Sequence, residues 1–215
     1  MKNIAVIVAL DSEYELVKEL LGGTTDTLPS GNVVELSRCG IGKVNAAVGA
    51  TSILESARPD VVISSGVAGS VDSSLKPLDV IVANRIAYHD VWCGPGVPWG
   101  QVQGLPQYFE TDKELCSKAL SLPLEGLTLK TGLIASGDRF IDTPAEVAAI
   151  KKIYPDALAV DMESGSLAQV CHLYEVPFIS FRIISDSSDG AAYGDFWSTA
   201  SSNSFRLLRS FLEAI

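Results

Sequence analysis

Short apolar runs alternate along the whole chain with segments of helical composition, and this alternation constrains the fold more than any other feature. The run IAVIVAL, residues 4–10, is apolar without a break, as expected of a strand covered on both faces. SEYELVKELL follows as a helix, with Ser12 and Glu15 at capping-box spacing. NVVELS, PDVVISSGVAGS, LDVIVANRIAYHD, LTLKTGLIASGD, ALAVDM and PFISFRIISD read as further strands. KVNAAVGATSILESA, PAEVAAIKKIY with Pro144 at a plausible first helical position, a segment starting near Asp161, and the closing FWSTASSNSFRLLRSFLEAI read as helices. Strand and helix taking turns in this way specify one α/β domain over residues 1–215 with a largely parallel central sheet. Val91 to Phe109 is rich in Gly and Pro and shows no element of its own; so long a gap predicts a functional or interface loop.

Composition narrows the partners. The chain has 215 residues, 47% of them hydrophobic, enough for a substantial core. Asp and Glu number 26 against 16 Lys and Arg, a formal charge of −10, which repels nucleic acid phosphates and anionic membranes. Neither nucleic acid nor membrane is therefore expected as a partner. Cys39, Cys93, Cys116 and Cys171 form no CxxC pair, and the histidines are His89 and His172 alone, so no metal site is expected. The N-terminal apolar stretch is short and lacks a cleavage signal, which predicts a cytoplasmic protein with reduced thiols.

In open α/β sheets, ligands sit beyond the carboxyl ends of the strands. Those ends read ALDSE, SSGVAGS, ASGDRF, VDMES and IISDSSDG, and all but the glycine segment carry acid. Phosphate would call for cations and helix N-termini instead. Acid points to a polyhydroxy or cationic ligand, or to acid/base chemistry. CGIGKVNAA fails as a P-loop, because Ser37 and Val44 stand where Gly and Ser or Thr are needed. Asn45 breaks the dinucleotide fingerprint. What remains is a strand–helix turn, with backbone N–H groups able to face a small anion or water.

Glu163 is the least comfortable residue. With a helix starting near residue 161, it shares one stripe with Leu167, Val170, Cys171 and Tyr174. A carboxylate on an apolar stripe needs a partner, and a ligand is one candidate. Asp161 reads equally as a helix cap. Arg182 falls inside an apolar strand, on the face of Phe178, Ser180, Ile184 and Asp186, and needs an acid that Glu163 or Glu13 can supply. Taken singly, Asp186 suits an Asx-turn in SDSSDG, Glu13 suits the first turn of a helix dipole, Phe140 suits a core and His89 a hydrogen-bonded structural position.

ALDSE, GIGKVNAA, PDVVISSGVAGS, DVIV with AYHD, SGDRFI, AVDMES and RIISD, in that order, resemble the bacterial 5′-methylthioadenosine/S-adenosylhomocysteine nucleosidases, part of the wider purine nucleoside phosphorylase superfamily. The resemblance implies a three-layer α/β/α fold with a mixed, largely parallel sheet, a homodimer, and hydrolysis of an adenine nucleoside without cofactor or metal. It implies Glu13 as the base activating water and Asp186 as the acid serving the purine. Glu163 would hold the ribose hydroxyls, Met162 would lie beneath the sugar, and Phe140 would stack on adenine. Arg182 would order the water and Glu163, and Ser185 would orient Asp186. Ala68, Gly69, Ile141 and Val160 would line the substrate site, with Tyr193 closing over it. Departures from the family are Val67, where a small polar residue is common, the Leu10–Asp11–Ser12 run, and the Trp- and Pro-rich loop. Rival readings are a futalosine-type or other purine nucleoside hydrolase, a phosphorylase, and a nucleoside-binding protein without turnover.

Overall fold

A computed structural model describes residues 1–123, 126, 128–186, 193, 195–197, 200 and 202–215. In chain order the elements are β1 (Asn3–Val8), α1 (Asp11–Leu21), β2 (Thr25–Thr27), β3 (Val33–Arg38), α2 (Lys43–Ala57), β4 (Val61–Ser70), β5 (Val80–Tyr88), β6 (Phe109–Glu110), α3 (Lys113–Leu120), β7 (Leu129–Ser136), α4 (Pro144–Ile153), β8 (Ala157–Asp161), α5 (Ser164–Leu173) and β9 (Phe178–Asp186). A 3₁₀ turn over Ser202–Phe205 leads into α6 (Arg206–Ala214).

β1 shows why the layers form. Ile4, Val6 and Val8 pack with Val17 and Leu21 of α1, Leu115 of α3 and Phe211 of α6. Ala5 and Ile7, on the opposite face, pack with Ala46, Ala50 and Ile53 of α2 and Leu167 and Cys171 of α5. Period-two alternation in a strand apolar at every position thus feeds two cores, one per face. That is the predicted α/β/α arrangement. A third cluster joins Ile150 and Tyr154 at the end of α4 to Leu133, Ala135, Val160 and Ile141.

The nine strands form one mixed sheet in the order β2-β3-β1-β4-β8-β7-β5-β6, with β9 pairing both β4 and β5. The β1–β3, β1–β4, β4–β9, β5–β7 and β7–β8 pairs are parallel. β2–β3, β4–β8, β5–β6 and β5–β9 are antiparallel. Because β4 also pairs with β8, the strands β4, β9, β5, β7 and β8 close on themselves as a partial barrel.

Several local expectations change. Helix α1 begins at Asp11 with Leu10 in the capping position, so Ser12 and Glu15 form no box. Glu13 takes the third helical position instead, and its carboxylate accepts the Leu10 N–H at 2.9 Å. Helix α5 starts at Ser164 rather than near 161. α3 was absent from the sequence reading, although Asp112 announces it: its side chain accepts from Glu114 N at 3.0 Å and Leu115 N at 2.9 Å. β2 and β6 are too short to carry a period. The 91–109 segment has no element until β6, and is pinned by Gly100 N–H to Val91 O at 2.8 Å and Trp99 Nε1 to His89 O at 2.8 Å. Among the described residues no helix is long and apolar enough to cross a membrane.

Candidate active site

The strand ends singled out by sequence converge on one cleft of about 660 Å³, open mouth included. Glu13 enters from the connection after β1, Val67, Ala68 and Gly69 from β4, and Arg139, Phe140 and Ile141 from the turn after β7. Val160 to Glu163 come from the end of β8, and Ser185 and Asp186 from the end of β9. Tyr193 completes the lining, its ring edge-on to Phe140 at 5.5 Å.

Glu13 is 3% exposed and fully engaged. One oxygen accepts the Ala9 and Leu10 N–H groups, each at 2.9 Å, and the other accepts Val67 N–H at 2.8 Å. Burial raises its pKa; the three N–H groups and the nearby Arg182 charge oppose that without cancelling it. Gly66 is the residue that lets it in. A Cβ there would fall 2.5 Å from Glu13 Oε1.

Glu163 stands just before α5, outside the helix and with no capping bond from its side chain, rather than riding on its stripe. Its Oε1 accepts Gly42 N–H at 2.9 Å, in a turn where Gly42 has φ +88°. The small anion that the GIGK turn was expected to face is therefore the protein's own carboxylate. The rest of the stripe divides: Leu167, Val170 and Cys171 are buried, while Tyr174 is exposed and donates its hydroxyl to Glu55.

Arg182 does not pair directly with Glu163 or Glu13. Its Nε donates to Asp161 Oδ2 at 2.7 Å and one terminal nitrogen donates to Ser64 Oγ at 2.9 Å. Both members of the pair are buried. Asp161 also accepts the Ser164 N–H, at 3.2 and 3.3 Å, so it caps α5 as well. Arg182 lies behind the wall of the cleft, whereas the other proposed site residues line it. The buried acids Asp161, Glu163 and Glu13 thus act on one buried guanidinium, and with Asp186 in the same cleft they make a field that favours a cationic guest.

Burial first, and then the Asp161 charge, push Glu163 up to about 7. A carboxyl raised from its ordinary 4.5 binds its proton more tightly in the folded state, so its stabilising effect is full below pH 4.5 and is lost as pH rises through 7. Glu163→Gln removes that loss. We expect the variant to gain up to about 3 kcal/mol relative to the unmodified protein between pH 5 and pH 8, read from denaturant midpoints at each pH. A parallel pair of pH profiles would contradict it.

Asp186 is 3% exposed and owes its aim to a bulge. Ala68 pairs with Ile184 and Gly69 with Asp186, leaving Ser185 as the extra residue on β9. Ser185 Oγ lies 2.6 Å from Asp186 Oδ1 and 3.2 Å from Ala68 O. The rest of the SDSSDG turn suggested for Asp186, residues 187–190, lies outside the described residues. Phe140, expected in a core, is 50% exposed at the mouth of the cleft. His89 is buried, but its Nε2 has no hydrogen-bond partner among the described residues, and burial lowers its pKa. Sequence reasoning missed Asp161 as the partner of Arg182 and missed Ala9, Leu10, Ile41 and Arg139 in the lining. An acid two residues before Glu163 at a strand end was the available signal for Asp161. Among the described residues no group of His, Cys, Asp and Glu is placed to hold a metal ion.

A cleft at the strand ends, walled by acids and with aromatic rings at its mouth, defines a class, and comparison gives the class its name. The chain belongs to the phosphorylase superfamily, whose profile matches residues 3–213. Within it, the 5′-methylthioadenosine/S-adenosylhomocysteine nucleosidase of Haemophilus influenzae is 36% identical over 206 residues, 90% of each chain. The crystal structure of the Neisseria meningitidis nucleosidase of that name, in complex with methylthio-immucillin-A, superposes with a TM-score of 0.92 at 35% identity over 100% of both chains. The futalosine hydrolase of Helicobacter pylori superposes with a TM-score of 0.91 at 28% identity, over 100% of this chain and 98% of its own.

Proposed function

We propose that residues 1–215 act as one purine nucleosidase domain that hydrolyses the N-glycosidic bond of 5′-methylthioadenosine, S-adenosylhomocysteine or both, with 5′-deoxyadenosine within reach of the same site. The convergence of Glu13, Glu163 and Asp186 on one cleft carries this reading. Two distinct ends and a middle are what the reaction requires.

Adenine leaves poorly as an anion, so its N7 must gain a proton as the bond to C1′ breaks. Asp186, oriented by Ser185, gives that proton and accepts from the 6-amino group. As the C1′–N9 bond lengthens, positive charge grows on the ribose. Glu13 draws the proton from a water that adds to C1′ from the opposite face, and its charge stabilises the cationic sugar. Glu163 accepts the two ribose hydroxyls side by side, Met162 lies beneath the sugar, and Phe140 with Tyr193 encloses the base. Arg182 acts from behind the wall: through Asp161 it holds the start of α5, and its charge keeps the carboxylates from repelling one another out of register.

Glu13 depends on its glycine neighbour. Gly66→Ala places a methyl within 2.5 Å of Glu13 Oε1, in a strand that cannot yield, so the carboxylate must leave Val67 N–H. Misplacing the base by an ångström or less should lower kcat/KM by at least about tenfold, measured as adenine release from a folded variant. An unchanged rate would show that the water does not depend on Glu13.

Futalosine-type hydrolysis is the second reading, favoured by the likeness to the Helicobacter pylori enzyme. A substrate with a 6-oxo purine would lack the amine from which Asp186 can accept a hydrogen bond. A homodimer in the cytoplasm belongs to the proposal as well. Val44 and Val48, one turn apart on α2, are 73% and 66% exposed, and Trp92 is 59% exposed, apolar surface of the kind interfaces cover. The test is adenine release from 5′-methylthioadenosine, S-adenosylhomocysteine and 5′-deoxyadenosine, and hypoxanthine release from inosine, each with and without phosphate. The reading expects the adenosine compounds to turn over without phosphate and inosine to lag far behind. Inosine as the preferred substrate, or an absolute need for phosphate, would move the assignment to a sister activity.

A further inference from the structure

Two motifs, GIGK and YHD, have no part in the chemistry above. In the fold they meet. Lys43 opens α2, Asp90 follows the end of β5, and Asp138 follows the end of β7. Lys43 Nζ donates to Asp90 Oδ2 at 2.8 Å, and the same oxygen accepts the Asp138 N–H at 2.8 Å. Asp138 Oδ1 in turn accepts the Lys43 backbone N–H at 2.7 Å. Residues from three connections therefore close a ring of hydrogen bonds. The Lys43 ammonium also lies 5.3 Å from the centre of the Tyr88 ring.

Glycines let the ring close. A Cβ at Gly42 would fall 2.9 Å from Asp138 Oδ1, and one at Gly137 would fall 2.7 Å from Asp90 Cγ. Burial works against the Asp90 charge, but Lys43 and the Asp138 N–H outweigh it, so the carboxylate stays ionised and its pKa is lowered. Each side of the ring carries a residue of the cleft. Gly42, just before Lys43, donates its N–H to Glu163 Oε1 at 2.9 Å. Phe140, two residues beyond Asp138, lines the cleft.

We infer that Lys43, Asp90 and Asp138 are positioning residues: their ring fixes both where Gly42 holds the Glu163 carboxylate and where Phe140 presents its ring. The sugar side and the base side of the cleft are then set by one unit. The inference rests on reading the cleft as a nucleoside site. Stability alone does not account for the arrangement. The Lys43–Asp90 pair is half-buried, with 26% and 16% of the side chains exposed, so its loss costs some stability, but its bonds also join the segments that carry Gly42 and Phe140.

The test uses the whole chain with Lys43→Met, Lys43→Arg, Asp90→Ala and the Lys43→Met/Asp90→Ala double variant. Three quantities are read: the thermal midpoint, steady-state adenine release from 5′-methylthioadenosine, and the Kd of free adenine by calorimetry. Each of Lys43→Met and Asp90→Ala should raise KM and the adenine Kd about tenfold, with kcat within about threefold of the unmodified protein. The thermal midpoint should fall by several degrees, as expected when a half-buried pair is broken. The double variant should be no worse than the poorer single one, because one break already opens the ring. Lys43→Arg should restore most of the affinity. Folded variants with unchanged KM and adenine Kd would overturn the inference, and so would single losses that multiply in the double variant. If the unmodified protein binds adenine yet releases none from any nucleoside, the nucleosidase reading falls, and the adenine Kd still decides the ring.

Discussion

Asp186→Asn should leave a folded protein that binds 5′-methylthioadenosine and releases adenine about 10²–10⁴-fold more slowly. The substitution keeps the acceptor oxygen that Ser185 Oγ meets at 2.6 Å, so the bulge and the aim of the side chain survive. What disappears is the acidic proton. An amide cannot protonate N7, and the purine must then depart as an anion. The loss corresponds to about 3–5 kcal/mol of transition-state stabilisation. Single-turnover adenine release, set beside equilibrium binding of the same nucleoside, separates the two terms. Retained turnover would remove Asp186 from the chemistry.

Glu13→Gln should be comparably crippled, about 10²–10⁴-fold in kcat, for a second reason besides the lost base. The carboxylate accepts three backbone N–H groups, from Ala9, Leu10 and Val67. A glutamine carbonyl can serve the first two, but its amide nitrogen then faces the Val67 N–H, donor against donor. The side chain must swing away from Val67 or leave a buried donor unpaired, which costs about 1–3 kcal/mol. We therefore expect a lower thermal midpoint together with the rate loss. A Glu13→Gln enzyme with near-normal kcat would mean that another group handles the water.

How far the sequence reached follows from what its signals encode. Apolar runs and their flanking glycines locate the main strands, because a run of strand length bounded by turn residues is too short for a buried helix. The rim was legible too: acids follow β1 and β9, the parallel neighbours of β4, on one side and β7 and β8 on the other, and the two sets meet where Gly69 of β4 pairs with Val160 of β8. Contacts between rims were not. Nothing local says that Arg182 belongs to Asp161 rather than Glu163, since the choice is set by the register of β8 against β7 and of β9 against β4. Glu13 could be placed in the first turn of a helix, but its meeting with Gly66 depends on β1 lying beside β4. The bulge at Ser185 is one residue in one ladder and leaves no periodic trace. Short elements such as β6 fail for the same reason, whereas α3 does carry a local signal, the Asp112 cap.

The central claim is that a water placed by Glu13 adds to C1′ while Asp186 discharges the base. Turnover of 5′-methylthioadenosine in ¹⁸O-labelled water, with the sugar product examined by mass spectrometry under single-turnover conditions, tests it most directly. The account predicts one labelled oxygen in the ribose product, none in adenine, and no dependence on phosphate. A sugar released as its 1-phosphate, or an unlabelled one, would contradict it.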